Sequence, residues 1–157
     1  MKKEEVVRLF DLYSDDLYRF AVSYVGSRFD AEDIVQDVFL KLLDKHLLFD
    51  MRNEKAYLMT MTANKCKDHL RSPARRNNVD IESCEWQLQY SDVVEGGHSD
   101  IFDELMRLEE TYRLPIYLFY YSGYSYKEIA KILKISESAV AMRIQRGKEK
   151  IKVKLEE

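Results

Sequence analysis

Residues 125–150, SYKEIAKILKISESAVAMRIQRGKEK, concentrate the side chains best suited to reading a base edge. Arg143 and Arg146 are the best candidates for phosphate and base contacts, and the Gln145 amide matches adenine N6 and N7 in a major groove. On a helix, Ser138, Ala141, Met142, Gln145 and Arg146 share an outer side, while Val140, Ile144 and Ile151 fall on the inner one. Arg143, Lys148 and Lys150 sit where phosphates would lie. The residues just upstream explain how such a helix would be held. Ser125 with Glu128 three residues on makes a capping box. Ile129, Ile132 and Leu133 then share one face, with small Ala130 beside them. Lys134 and Ile135 make the bend, and Ser136 can cap the second helix. This is the grammar of a helix-turn-helix.

A second constellation precedes it. The segment Phe49-Asp50-Met51-Arg52-Asn53 joins an aromatic ring, an arginine and an amide in one loop, a set suited to an unstacked base. In the helix that follows, Thr60, Thr62 and Asn64 can reach bases, and Lys65, Lys67, Arg71, Arg75 and Arg76 can meet phosphates. A third constellation is acidic. In DAEDIVQDVFLKLLDK, the residues Ile34, Val35, Val38, Phe39, Leu42 and Leu43 form an apolar core face. Asp33, Gln36, Asp37 and Leu40 lie on the other side, as a docking face for a basic protein partner or as plain solvent surface.

Bond-making chemistry finds no support. His46, His69 and His98 lack metal-ligand spacing, there is no glycine-rich phosphate loop, and no nucleophile stands beside a base. Neither a metal nor another cofactor is expected, nor a small-molecule substrate. Cys66 and Cys84 read as free thiols in a reducing cytoplasm. The longest apolar run, Leu114 to Tyr121, is eight residues long and contains Pro115, so it is too short to span a bilayer. The amino-terminal MKKEEVVRLFDLYSDD has no apolar core of a signal peptide.

The elements that must position these groups are helical. With 157 residues, few glycines and two prolines, the chain reads as all-α, with two small helical domains joined by a flexible acidic linker. Residues 4–25 predict one helix or a broken pair, ended by Gly26. Asp30 is placed to cap a second helix running to about Asp44. A loop spans His46 to about Asn53, and a third helix runs from Glu54 to Leu70. Trp86, Leu88 and Tyr90 alternate too briefly for a strand. Helical periodicity resumes near Ile101, and with Thr111 as a cap Pro115 falls at the fourth position of the next helix, where no N–H is needed. The expected domains are 1–76, a linker over 77–100, and 101–157. Charge follows this division. Residues 1–50 carry net −4, 51–76 net +5, 77–110 net −9 and 111–157 net +5, within a chain of net −3. Two basic blocks, one on the helix-turn-helix, favour a polyanion held at two points.

The chain as a whole resembles the extracytoplasmic-function sigma factors of the sigma-70 family. DAEDIVQDVFLKL resembles their clamp-gripping helix, KAYLMTMTANKCKDHLR their promoter-melting helix, and YRLPIYLFYYSGYSYKEIAKILKISESAVAMRIQRGKEKI their minus-thirty-five-reading domain. The resemblance implies a cytoplasmic factor, not an enzyme, that binds core RNA polymerase and directs promoter-specific initiation. It implies core contacts from Asp33, Gln36, Asp37 and Leu40. Minus-ten contacts, to duplex and then single-stranded DNA, fall on Phe49, Arg52, Asn53, Thr60, Asn64, Lys67 and Arg71. Minus-thirty-five contacts fall on Ser138, Ala141, Met142, Arg143, Gln145, Arg146 and Lys148. An anti-sigma factor is the implied regulator. The alternatives are a stand-alone helix-turn-helix repressor or activator, and a protein adaptor.

Six positions depart from the family pattern. Tyr57 stands where tryptophan is usual, Lys134 replaces a turn glycine, and Gly147 replaces alanine. Pro115 is unusual, and Ala141-Met142 replace a basic and a small polar residue, which points to a different base preference.

Overall fold

A computed structural model describes residues 1–44, 49, 51–71 and 100–156. Every regular element among the described residues is a helix, and the chain falls into two compact units, Met1–Tyr90 and Ser91–Glu157. The expected linker, with Trp86, Leu88, Tyr90 and Cys84, lies outside the described residues, apart from Asp100, which opens a helix.

In the first unit, α1 spans Lys3–Val25, α2 Arg28–Leu42 and α3 Glu54–Leu70, with one 3-10 turn at Met51–Asn53 before α3. Residues 3–25 form one helix rather than a broken pair, because Leu9, Leu17, Phe20 and Val25 all face the core and are fully buried. Gly26 ends it in the left-handed region (φ 73°), its N–H donating to the Val22 carbonyl at 2.8 Å. The next residue caps α2. Ser27, not Asp30, is the cap: its backbone is extended and its hydroxyl accepts from the Asp30 N–H. Asp30 is thereby drawn into the first turn, where its charge suits the helix dipole. The three helices close over Leu42, Leu58, Met59 and Cys66, each fully buried. Burial of a leucine on this scale contributes roughly 1.5–3 kcal/mol. Cys66 forms no disulfide.

In the second unit, α4 spans Asp100–Arg107, α5 Glu110–Tyr120, α6 Tyr126–Leu133 and α7 Glu137–Glu156. Arg113 fastens α4 to α5: its guanidinium donates to the Leu108 carbonyl at 2.9 Å and the Met106 carbonyl at 3.4 Å, satisfying the helix end. The cap of α5 is Glu109, not Thr111, since the Glu109 carbonyl accepts from the Arg113 N–H at 2.9 Å. Pro115 therefore lies inside the helix, beyond the first-turn positions whose N–H groups are free, since the Arg113 N–H is already bonded. The Thr111 carbonyl loses its usual intrahelical donor, and the proline ring is buried in the core in exchange.

The predicted capping box is present at Ser125 and Glu128, with both reciprocal bonds at 3.1–3.2 Å. Ser136 caps α7, accepting from the Ala139 N–H at 3.0 Å. Between them Lys134 adopts φ 59°, ψ 46°, so the turn is left-handed and accepts the strain of a side chain there. Its N–H and that of Ile135 both return to the Ala130 carbonyl, which fixes the angle between α6 and α7.

Candidate nucleic-acid and partner interfaces

The outer side of α7 is set by what its inner side buries. Val140 and Ile144 are within 1% of full burial, and Gly147 is buried against α5. Ser138, Met142, Gln145 and Arg146 are consequently exposed, while Ala141 and Arg143 are half-buried. A Cβ on Gly147 would come within 2.4 Å of Ile116 Cδ1 and 3.2 Å of Tyr112 Cβ. Glycine is thus the residue that lets the two helices approach. The two lysines flanking this contact lean on tyrosine rings. Lys148 Nζ lies 5.0 Å from the Tyr120 centroid and Lys150 Nζ 5.1 Å from that of Tyr112. A hydrogen bond with Tyr120 pushes the Lys148 ammonium above its ordinary range, so it keeps its charge. Lys148 and Lys150 are therefore cations tethered on the α5 side of α7, beside the Ser138–Gln145 row.

A second surface runs along α3. Asn53, Tyr57, Thr60, Asn64, Lys67 and Arg71 recur at intervals of three and four, which is one stripe of a helix. Arg52, Asn53, Lys67 and Arg71 are exposed, and Thr60 and Asn64 are half-buried. The Thr60 hydroxyl donates to the Ala56 carbonyl at 2.9 Å. Thr62 corrects the sequence reading. It is fully buried, with its hydroxyl donating to the Leu58 carbonyl at 2.8 Å, because position 62 follows Leu58 and Met59 onto the core face. Phe49 meets the stripe edge-on, its ring centroid 4.8 Å from that of Tyr57 at 63°. Asp50, Arg75 and Arg76 lie outside the described residues.

The third surface is the far side of α2. Asp33, Gln36 and Asp37 are exposed, and Leu40 is 63% exposed beside fully buried Leu42. A groove of about 280 Å³ adjoins it, lined by Phe10, Ser14, Asp15, Tyr18, Glu32, Val35 and Gln36. Among the described residues no group of histidines, cysteines and carboxylates could hold a metal ion.

One arrangement was not legible in the chain. The Glu54 carboxylate accepts from Arg8 Nη1 at 3.2 Å and Nη2 at 3.0 Å, and from the Tyr13 hydroxyl at 2.8 Å. These partners are 46 and 41 residues away, and periodicity says nothing of pairs at that separation. The bonds hold the Glu54 carboxyl below the usual carboxylate range and push the Tyr13 phenol up. A further tie, His69 Nε2 to Asp30 Oδ2 at 3.1 Å, joins the end of α3 to the start of α2.

Comparison with known proteins places both units. Residues 9–76 match the model of Sigma-70 region 2, and residues 99–151 that of Sigma-70 region 4. The chain is 27% identical over 162 residues to the ECF RNA polymerase sigma factor SigW of Bacillus subtilis, covering 94% of this chain and 87% of that one. It is 29% identical over 155 residues to SigL of Mycobacterium tuberculosis, covering 95% and 88%. The sigma factor RpoE of Bartonella quintana, solved with the anti-sigma factor NepR, aligns with TM-score 0.68 and 26% identity over 98% of this chain and 96% of that one. CnrH, solved with the cytosolic domain of CnrY, shares the fold at TM-score 0.64 and 24% identity, over 99% and 90%.

Proposed function

The chain belongs to the sigma-70 family as an extracytoplasmic-function sigma factor, which binds core RNA polymerase and directs promoter-specific initiation, and from this we propose how its surfaces divide that work. We assign residues 1–76 to core binding and the minus-ten element and 101–157 to the minus-thirty-five element, a reading supported by the matched regions over 9–76 and 99–151. The factor works in the cytoplasm beside the polymerase. Its contribution is binding energy, without a reaction of its own.

On α2, Asp33, Gln36, Asp37 and Leu40 dock on core polymerase, with carboxylates at the rim and one exposed leucine as the apolar anchor. On α3 and the turn before it, Phe49, Arg52, Asn53, Thr60, Asn64, Lys67 and Arg71 engage the minus-ten element. The cations grip phosphates, and the ring and amides receive a base leaving the stack, where stacking and edge contacts offset a few kcal/mol of unstacking. On α7, Gln145 and Arg146 read bases of the minus-thirty-five duplex. Ser138, Ala141 and Met142 supply short contacts, and Arg143 and Lys148 hold phosphates. Of the two solved structures named above, the sigma factor RpoE was captured with an anti-sigma factor and CnrH with the cytosolic domain of CnrY. We infer an anti-sigma regulator for this chain as well.

The observation that carries the upstream assignment is the exposed row Ser138, Met142, Gln145 and Arg146 on a helix whose opposite side is buried. A promoter library tests it. Gln145→Ala changes base preference at one position of the upstream element. Arg143→Ala weakens all promoters alike and lowers the slope of affinity against salt by about one. The reverse pattern would overturn the two roles.

A further inference from the structure

The start of α3 is not held by its own sequence. Asn53 occupies the N-cap with φ −142° and ψ 56°, and its side chain makes no capping bond. Helix starts lacking a cap leave their first N–H groups to water and fray. Here the restraint comes from α1. Arg8 and Tyr13 together place three hydrogen bonds on the carboxylate of Glu54, the first residue of α3, and Asp16 pairs with Lys55, the second, at 3.6 Å. All these ties fall on two consecutive residues, directly after the turn that carries Arg52 and Asn53. The same first turn of helix also carries Tyr57, whose ring meets Phe49.

We propose that Arg8 and Tyr13, acting through Glu54, are positioning residues for minus-ten base selection. They splint the junction between the 3-10 turn and α3, so that Arg52 and Asn53 meet the extruded base in one geometry. Two features make this more than a stability device. The Arg8–Glu54 pair is bidentate, so it fixes the direction of the carboxylate as well as its distance. The absent cap leaves the Asn53 amide uncommitted to its own helix, available to a base only if the backbone is held by something else. Selection between bases depends on geometry held to fractions of an ångström, and a loosened support lowers discrimination before it lowers binding. The inference rests on the minus-ten reading of Arg52 and Asn53 given above.

The test uses holoenzyme assembled from the full chain and core polymerase. Its probes are single-stranded oligonucleotides of a mapped minus-ten element, each position carrying each of the four bases. The readout is the ratio of affinities for the preferred and the next-best base. A smaller folded fraction lowers both affinities equally and leaves the ratio alone, so the ratio separates positioning from stability. For Arg8→Met combined with Tyr13→Phe, the ratio falls about tenfold at the position read by the turn, while core affinity is retained. Arg8→Lys with Tyr13 intact restores part of it. Asn53→Ala and Arg52→Ala are run in parallel and also lower the ratio. A double variant with the wild-type ratio, alongside an altered ratio in Asn53→Ala, would overturn the splint and leave the minus-ten reading standing. Wild-type ratios in every variant would overturn both.

Discussion

Single residues decide how firmly the two candidate DNA surfaces are held. Glu54 links α3 to α1 through Arg8 and Tyr13, and those bonds make its carboxyl more acidic than an ordinary glutamate. A lowered carboxylate contributes stability that is complete above its unfolded value of about 4.3 and is lost as pH falls through the lower folded value. The raised Tyr13 phenol works from the other end: its contribution is present below its unfolded value of about 10 and is lost as pH climbs past the folded one. Melting temperatures of wild type and Glu54→Gln, compared from acid to neutral pH, should therefore diverge as pH rises through the carboxylate range. Parallel curves would show that the carboxylate is not engaged. Lys134 is the other decisive residue, because it holds a left-handed turn without glycine's freedom. Lys134→Gly relieves about 1 kcal/mol of strain, partly offset by the larger entropy of an unfolded glycine, for a net gain of about 0.5 kcal/mol. Denaturant titration would contradict this with a loss of stability. The sequence alone left the handedness of that turn open, since a lysine at a turn is compatible with either conformation.

At the scale of elements, what was legible followed from periodicity and caps. The capping box at Ser125 and Glu128, the cap at Ser136 and the inner row of α7 are local patterns, and they reappear where the spacing put them. Starts that rest on non-local geometry were less readable. Ser27 displaced Asp30 because Gly26 turned the chain one residue after α1, and Glu109 displaced Thr111 because α5 begins before its proline rather than around it. Thr62 looked like a base contact in a run of hydroxyls, but the third dimension put it in the core. The meaning of Gly147 also needed a partner helix. Viewed as a helix interior it costs about 1 kcal/mol against alanine. Viewed against α5, its missing Cβ is the space into which Ile116 projects. Gly147→Ala should thus be nearly neutral alone, its propensity gain cancelled by displacement of Ile116 Cδ1. In an Ile116→Val background, which deletes that atom, the same change should stabilise. The coupling expected in the double-mutant cycle is about 1 kcal/mol, and strict additivity of the two unfolding energies would remove the packing explanation.

For the whole molecule, two helical units carry separate surfaces of matching purpose. The first presents an acidic face on α2 and a stripe of amides and cations on α3; the second presents a row of polar and cationic side chains on α7. Net charge across all 157 residues is slightly negative and hides this organisation, which only the block-by-block count exposes. The order of the surfaces along the chain is what distinguishes a two-point promoter reader from a lone helix-turn-helix regulator, since the second unit by itself fits both. The most direct measurement is transcription by purified core polymerase on genomic DNA fragments, with and without the chain, followed by mapping of transcript starts. The account predicts that discrete starts arise only when the chain is present, each preceded by shared minus-ten and minus-thirty-five sequences at constant spacing. It would be contradicted by a chain that leaves core polymerase without specific starts and instead binds duplex DNA as a dimer on a palindrome.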